Sequence, residues 1–205
     1  MQIRRIPTLV GAALCAWAAA SCSDNPTGAK EVPGSELVFI RAAANAPPLD
    51  ATTVHVWAKK GDGRRVEIRY KEQGEYGGDR CLEFRIPGDA LLRRPDGSAF
   101  SKGDSVLITI TLTDPNTFNF QFAPAGLEFS HDHPAELRIS YKWADPDRNG
   151  DGRVDDRDRT FPVDIWKQED GAARWIKIGT TDDRDLEELR ADIFGFTKYA
   201  MAGGV

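Results

Sequence analysis

Short runs in which apolar and polar residues alternate recur from Val54 to Ile178, and a period of two is a demand for strands. Val54-His-Val-Trp57, Val66-Glu-Ile-Arg-Tyr70 and Leu82-Glu-Phe-Arg-Ile86 each place apolar side chains on one face. Val106-Leu-Ile-Thr-Ile-Thr-Leu112 adds β-branched residues, and Phe118–Phe122, Leu137–Tyr141, Phe161–Trp166 and Trp175–Ile178 continue the pattern. Gly61-Asp-Gly63, Asp96-Gly97 and Asp170-Gly171 supply turns between them. Helical periodicity is thin: Asp182–Arg190 spaces Leu186 and Leu189 for a short helix, while alternation on to Ile193 allows a strand. Eight or nine strands with one apolar face each must bury that face against one another. The expected fold is therefore all-β, an antiparallel β-sandwich, with a barrel as the runner-up. No boundary is visible after residue 36, so residues 36–205 read as a single sandwich domain with few or no helices.

The beginning of the chain is of another kind. Arg4 and Arg5 precede an apolar run from Ile6 to Ala20, which ends in Ala19-Ala20-Ser21 and then Cys22. That is a secretory signal over residues 1–21, and the run is short of the roughly 20 apolar residues a bilayer span needs. A cysteine directly after the small residues resembles the signal of bacterial lipoproteins, although Ala19 stands where that family favours Leu. The resemblance implies that Cys22 is lipidated, palmitate included, and becomes the mature N-terminus. The membrane is then a partner through this lipid. The location is the cell envelope, with Ser23 pointing to the outer membrane or cell surface rather than the inner membrane. The other reading is an ordinary signal peptide with an incidental cysteine. Residues 22–35, rich in Ser, Asn, Pro, Thr and Gly, read as the lipidated N-terminus and a flexible tether.

Composition narrows the function classes. The 205 residues carry a formal charge of −5 without a basic stripe, which argues against a nucleic-acid partner. Of the three cysteines, Cys15 leaves with the signal and Cys22 takes lipid. Cys81 then stands alone between Arg80 and Leu82, so no disulfide framework forms and Cys81 reads as a small core residue.

In the second half, Phe122-Ala-Pro-Ala-Gly-Leu-Glu-Phe129 matches the F-x-P-x-G-x-x-F stretch of ZU5 domains at Phe122, Pro124, Gly126 and Phe129. Ile86-Pro-Gly-Asp-Ala-Leu91 is similar to that family's I-P-x-G-A-L segment, with Gly88 and Asp89 transposed. Phe194-Gly-Phe-Thr-Lys-Tyr-Ala200 resembles its closing H-F-S-x-Y-A strand. The resemblance covers about residues 82–201 and implies a β-sandwich that works as an interaction or structural module, not an enzyme. Some relatives cut themselves between the Phe and Ser of that closing triplet. Here Thr197 offers a hydroxyl but Gly195 replaces the histidine, so no base activates it and no self-cleavage is expected.

The stretch Asp145–Asp158 carries ligand spacing. Aligned on a twelve-residue calcium loop, Asp147, Asn149 and Asp151 take positions 1, 3 and 5, Gly152 the sharp turn, and Val154 the apolar position 8. Arg153 would contribute its carbonyl, Asp155 would act through water, and Asp158 stands where Glu is usual. The stretch resembles the D-x-N-x-D-G loops of dockerins. The implied cofactor is Ca²⁺ in a structural role, pinning a long loop. The competing reading is a polar β-hairpin loop whose Asp, Asn and Gly merely favour turns, with four arginines diluting the negative field.

Other groupings are weaker. His131-Asp-His133 could offer two imidazoles to a metal but needs a third ligand, and Ser130-His131-Asp132 is too compact for a hydrolytic relay. Trp57, Trp143, Trp166 and Trp175 lie within alternating runs and are expected in the core. The whole describes an envelope-anchored, non-catalytic binding or structural module with an unidentified protein or glycan partner. The alternative is a calcium-dependent carbohydrate-binding module, which would need two or three tryptophans exposed in a row.

Overall fold

The structure, a computed structural model, describes residues 31–72 and 78–204; the expected signal peptide, Cys22 and tether residues 23–30 lie outside them. The strands are β1 (Glu31–Pro33), β2 (Leu37–Phe39), β3 (Thr53–Lys59), β4 (Arg64–Arg69), β5 (Arg80–Ile86), β6 (Leu91–Arg93), β7 (Ser105–Asp114) and β8 (Asn119–Ala123). They continue as β9 (Glu128–Phe129), β10 (Ala135–Ser140), β11 (Asp164–Gln168), β12 (Arg174–Lys177), β13 (Thr180–Asp183), β14 (Glu188–Ile193) and β15 (Lys198–Gly204). One short helix, α1 (Asp156–Thr160), and a 3-10 turn at Gly34–Glu36 complete the described elements.

The larger sheet has the order β1-β12-β11-β15-β8-β7-β3, with β2 added beside the end of β15. The smaller has the order β13-β14-β10-β5-β4, and β6 pairs with β9 apart from both. Every pairing is antiparallel. The fold is all-β and sandwich-like. Apolar positions one residue in two meet between the sheets: Ile108, Ile110, Phe120 and Phe122 from one, Leu82, Phe84, Leu137 and Leu189 from the other, all buried. Period two thus delivers a continuous core, as burial of apolar area requires.

At its centre Phe84 packs edge-on against Phe122 at 5.2 Å, and Phe196 meets Phe122 and Phe129 at 5.3 and 5.1 Å. Phe122 and Phe129 belong to the F-x-P-x-G-x-x-F stretch, whose Ala123–Pro124 bond is cis and whose Gly126 sits at φ +78°. That stretch therefore supplies aromatic core and the turn that returns it to the core.

Residues 31–35 correct the expected extent of the tether. Glu31–Pro33 pairs with Arg174–Ile176, and Arg174 Nη2 donates to the Glu31 carbonyl at 2.7 Å. The chain then crosses the outside of the larger sheet and joins β15 as β2. Under this strap Val32, Leu37, Trp166, Trp175, Ala200 and Ala202 form a second buried cluster, with Phe39 edge-on to Trp175 at 5.3 Å. A Cβ on Gly34 would lie 3.2 Å from Trp175 Nε1, so the close crossing favours glycine. Val32 has an apolar face to bury, which the polar composition of residues 22–35 does not reveal.

Asp182–Arg190 resolves as strand, turn, strand: β13 and β14 flank Arg184–Glu187. Glu187 holds φ +52°, and its carbonyl accepts Tyr141 N–H at 2.8 Å and Ser140 Oγ–H at 3.3 Å. The tryptophans divide. Trp166 and Trp175 are buried and Trp143 is half-buried, but Trp57 is 62 % exposed. The physical reason is register: Val54, Val56 and Ala58 take the inward face of β3, leaving His55, Trp57 and Lys59 outside.

Candidate functional site

The 145–160 segment leaves β10 of the smaller sheet and enters β11 of the larger one, so it is a crossing between sheets and not a hairpin. Backbone polarity in such a crossing must be answered locally. Asp147 accepts N–H from Asp151 at 3.1 Å and Gly152 at 2.8 Å; Asn149 Oδ1 accepts from Asp151 at 2.9 Å; Asp151 Oδ1 accepts from Arg153 at 3.0 Å. Gly150 and Gly152 at φ +71° and +83° allow the reversals between these side-chain turns.

The loop closes on Asp158. Its carboxylate accepts the N–H of Asn149 at 3.1 Å and of Asp155 at 2.8 Å, joining the third position of the loop to the twelfth. Asp155 answers by accepting Arg157 N–H at 2.8 Å, a reciprocal capping box that starts α1 at Asp156. These N–H groups of Asp155 and Asn149 hold the Asp158 carboxyl below the usual carboxylate range. Hydrogen bonding from Arg157 does the same for Asp155.

Arg157 is the residue that spacing did not single out. Its guanidinium lies 2.9 Å from Asp151 and 2.7 Å from Asp155, so the loop carries its own counter-cation. The signal was present, since an arginine stands between Asp155 and Asp158 in the chain. Of the expected donor set, Asp147, Asn149, Asp151, Asp155 and Asp158 are brought into one hydrogen-bonded loop, and Arg153 follows Asp151 on its exposed side. As placed, the carboxylates face backbone N–H groups and Arg157. Among the described residues, no group of three or more His, Cys, Asp or Glu is arranged to hold a metal ion.

Beside the loop, a cleft of about 670 Å³ runs between α1 and the β13–β14 turn, lined by Tyr141, Arg148, Val154, Asp155, Asp158 and Glu187 among others. Arg148 lies over the Tyr141 ring at 4.9 Å, and Tyr141 Oη donates to Asp182 at 2.8 Å. Burial pushes the Tyr141 hydroxyl up to about 12, with Asp182 adding to the shift.

The remaining candidates are tied into the structure. Cys81 is buried, and burial raises its thiol to about 12 despite a hydrogen bond with Tyr70. The Thr197 hydroxyl is buried and donates to the carbonyl of Gln168. His131 stacks on Phe194 at 4.6 Å. No described helix is long and apolar enough to cross a membrane. Comparison with protein-family models, curated proteins and solved structures returned no match.

Proposed function

We propose that the chain is a lipid-anchored protein of the cell envelope whose sandwich serves as a non-catalytic binding or structural module, with Ca²⁺ pinning the 147–158 loop. The observation that carries the calcium reading is the course of the backbone: a tight glycine turn at Gly152 and a helix beginning at Asp156, immediately after the ninth loop position. Donor chemistry supports it, because Asp147, Asn149, Asp151 and Asp158 offer hard oxygen ligands and Arg153 a carbonyl. A carboxylate oxygen that accepts one N–H retains a lone pair for a cation. Calcium would supply at Asp151 and Asp155 the positive charge that Arg157 now supplies. Its role is to stiffen the crossing between the sheets.

The non-catalytic reading rests on the state of the nucleophiles. A thiol held at about 12 and a hydroxyl committed to a carbonyl are poor attackers. The ZU5 resemblance points the same way, toward contact with other proteins. A glycan would favour several exposed rings, and among the described tryptophans Trp57 alone is fully outside.

Thermal melts of the mature domain in millimolar Ca²⁺ and in EGTA test the loop. A higher melting temperature with calcium is expected; identical curves would remove the metal. Palmitate labelling and fractionation of Cys22→Ser test the anchor, which predicts loss of label and release from the membrane.

A further inference from the structure

The outside of the larger sheet is divided. Its β12-β11-β15 part lies beneath the strap, and its β7-β3 part is open. On the open part Trp57 is 62 % and Leu107 41 % exposed, and the two are direct partners in the β3–β7 register. A largely exposed indole beside a partly exposed leucine is an apolar patch of the kind that marks a contact surface.

The charges beside it are positive. Lys59 projects from the same face of β3, and the Lys102 stem lies 3.5 Å from a Cβ placed on Gly61, in the turn that follows β3. Neither lysine makes an ion pair among the described residues, and the nearby carboxylates Asp62 and Asp104 are taken by Arg64 and Arg94 at 2.7 Å each. Lys59 thus sets an ammonium group without an ion pair beside the aromatic–aliphatic pair, and Lys102 sets another at the turn end of the same strand, on a protein of net charge −5.

We propose that the Trp57–Leu107 patch docks an acidic segment of a partner protein, an apolar side chain seated on the indole and carboxylates on Lys59 and Lys102. A second copy of the chain fits less well, because a symmetric contact through this patch would bring like charges together. A glycan would lack the row of rings that sugar stacking uses.

Placement suits the task, and this part rests on the lipid-anchor reading. From β1 to β3 the sheet takes six strand steps, about 29 Å at the usual interstrand spacing. The chain from Cys22 to Glu31 spans roughly 30 Å even when fully extended. An anchor at Cys22 would join the domain at the β1 edge, and the patch lies on β3 at the opposite edge of the same sheet.

The test uses the full-length protein in its own cells, with photoreactive p-benzoylphenylalanine at Leu107 and, as a control, at Arg190 on the outside of the smaller sheet. Light should join the Leu107 probe to another protein through an acidic peptide identified by mass spectrometry. Adding Trp57→Ala, or Lys59→Glu with Lys102→Glu, should cut the adduct about tenfold, the effect of losing one interface hot spot. No adduct, a glycan adduct, a dimer of this chain, an equal adduct at position 190, or an adduct indifferent to charge reversal would each overturn the proposal. Fractionation of the same cells with Cys22→Ser reads the anchor separately. A Cys22→Ser protein that stays with the membrane but still gives the adduct sinks the lipid reading and leaves the patch standing.

Discussion

Glu83 has 0 % exposure although it lies on the outer face of the smaller sheet, where alternation allots water. Arginine side chains cover it: Arg80 contacts it at 2.7 Å, Arg65 and Arg138 at 3.8 Å, and Arg85 meets Oε1 without a donor aligned on that oxygen. Burial pushes its carboxyl up, but Arg80 and Arg85 outweigh burial and hold it below the ordinary range. A depressed carboxyl stabilises the fold above its unfolded pKa, and that stability drains away as pH falls through the lower folded value. Glu83→Gln should cost on the order of 3 kcal/mol at pH 7 in urea unfolding, because it strands several arginines. Its deficit should shrink as pH falls through that lower folded value, where the parent loses the charge as well. The sequence shows the alternation of Arg and Glu on this face; that one glutamate vanishes beneath its neighbours depends on cross-strand register. At the loop, Arg157→Ala removes the competing cation. Titrations followed by melting should show a larger calcium-induced shift in that variant than in the parent, alongside a lower melting temperature in EGTA.

Elements differ in how openly the sequence declared them. β3, β5, β7, β8 and β10 alternate because polar or charged side chains occupy one face of each, and all were legible. β15 was hidden. It lies mid-sheet with Tyr199 and Met201 in the main core and Ala200 and Ala202 beneath the strap, so both faces are buried and alternation disappears. β1 and β2 are three residues each, too short for any period to register. The calcium-like loop was legible in its residues but not in its connections. The competing reading joined its flanking strands as a hairpin, because local pattern does not say which sheet a strand joins. Two changes test these elements. Gly203→Ala places a Cβ 2.0 Å from Phe161 and 2.8 Å from the Pro162 carbonyl, and should destabilise by about 2 kcal/mol through overpacking, read by urea midpoint. Trp175→Ala should cost about 3 kcal/mol and loosen the strap, seen as faster amide exchange at Val32 and Leu37.

On the scale of the molecule, the two sheets are held by one aromatic centre, and Phe84→Ala should remove about 4 kcal/mol. Against the 5–15 kcal/mol typical of a domain, that is enough to show as a large fall in urea midpoint. The peptide bond between Phe196 and Thr197 should survive prolonged incubation as a single intact mass, since the hydroxyl is committed to Gln168 and Gly195 carries no base. The order in which the sheet is assembled has a further consequence. β15 is the last described strand in the chain, yet β2, β8 and β11 all hydrogen-bond to it. Neither the earliest strands nor the middle ones can complete the larger sheet until residues 198–204 have left the ribosome. Closure of the larger sheet is thereby deferred by connectivity to the end of the chain, so its long-range pairings form together rather than one hairpin at a time.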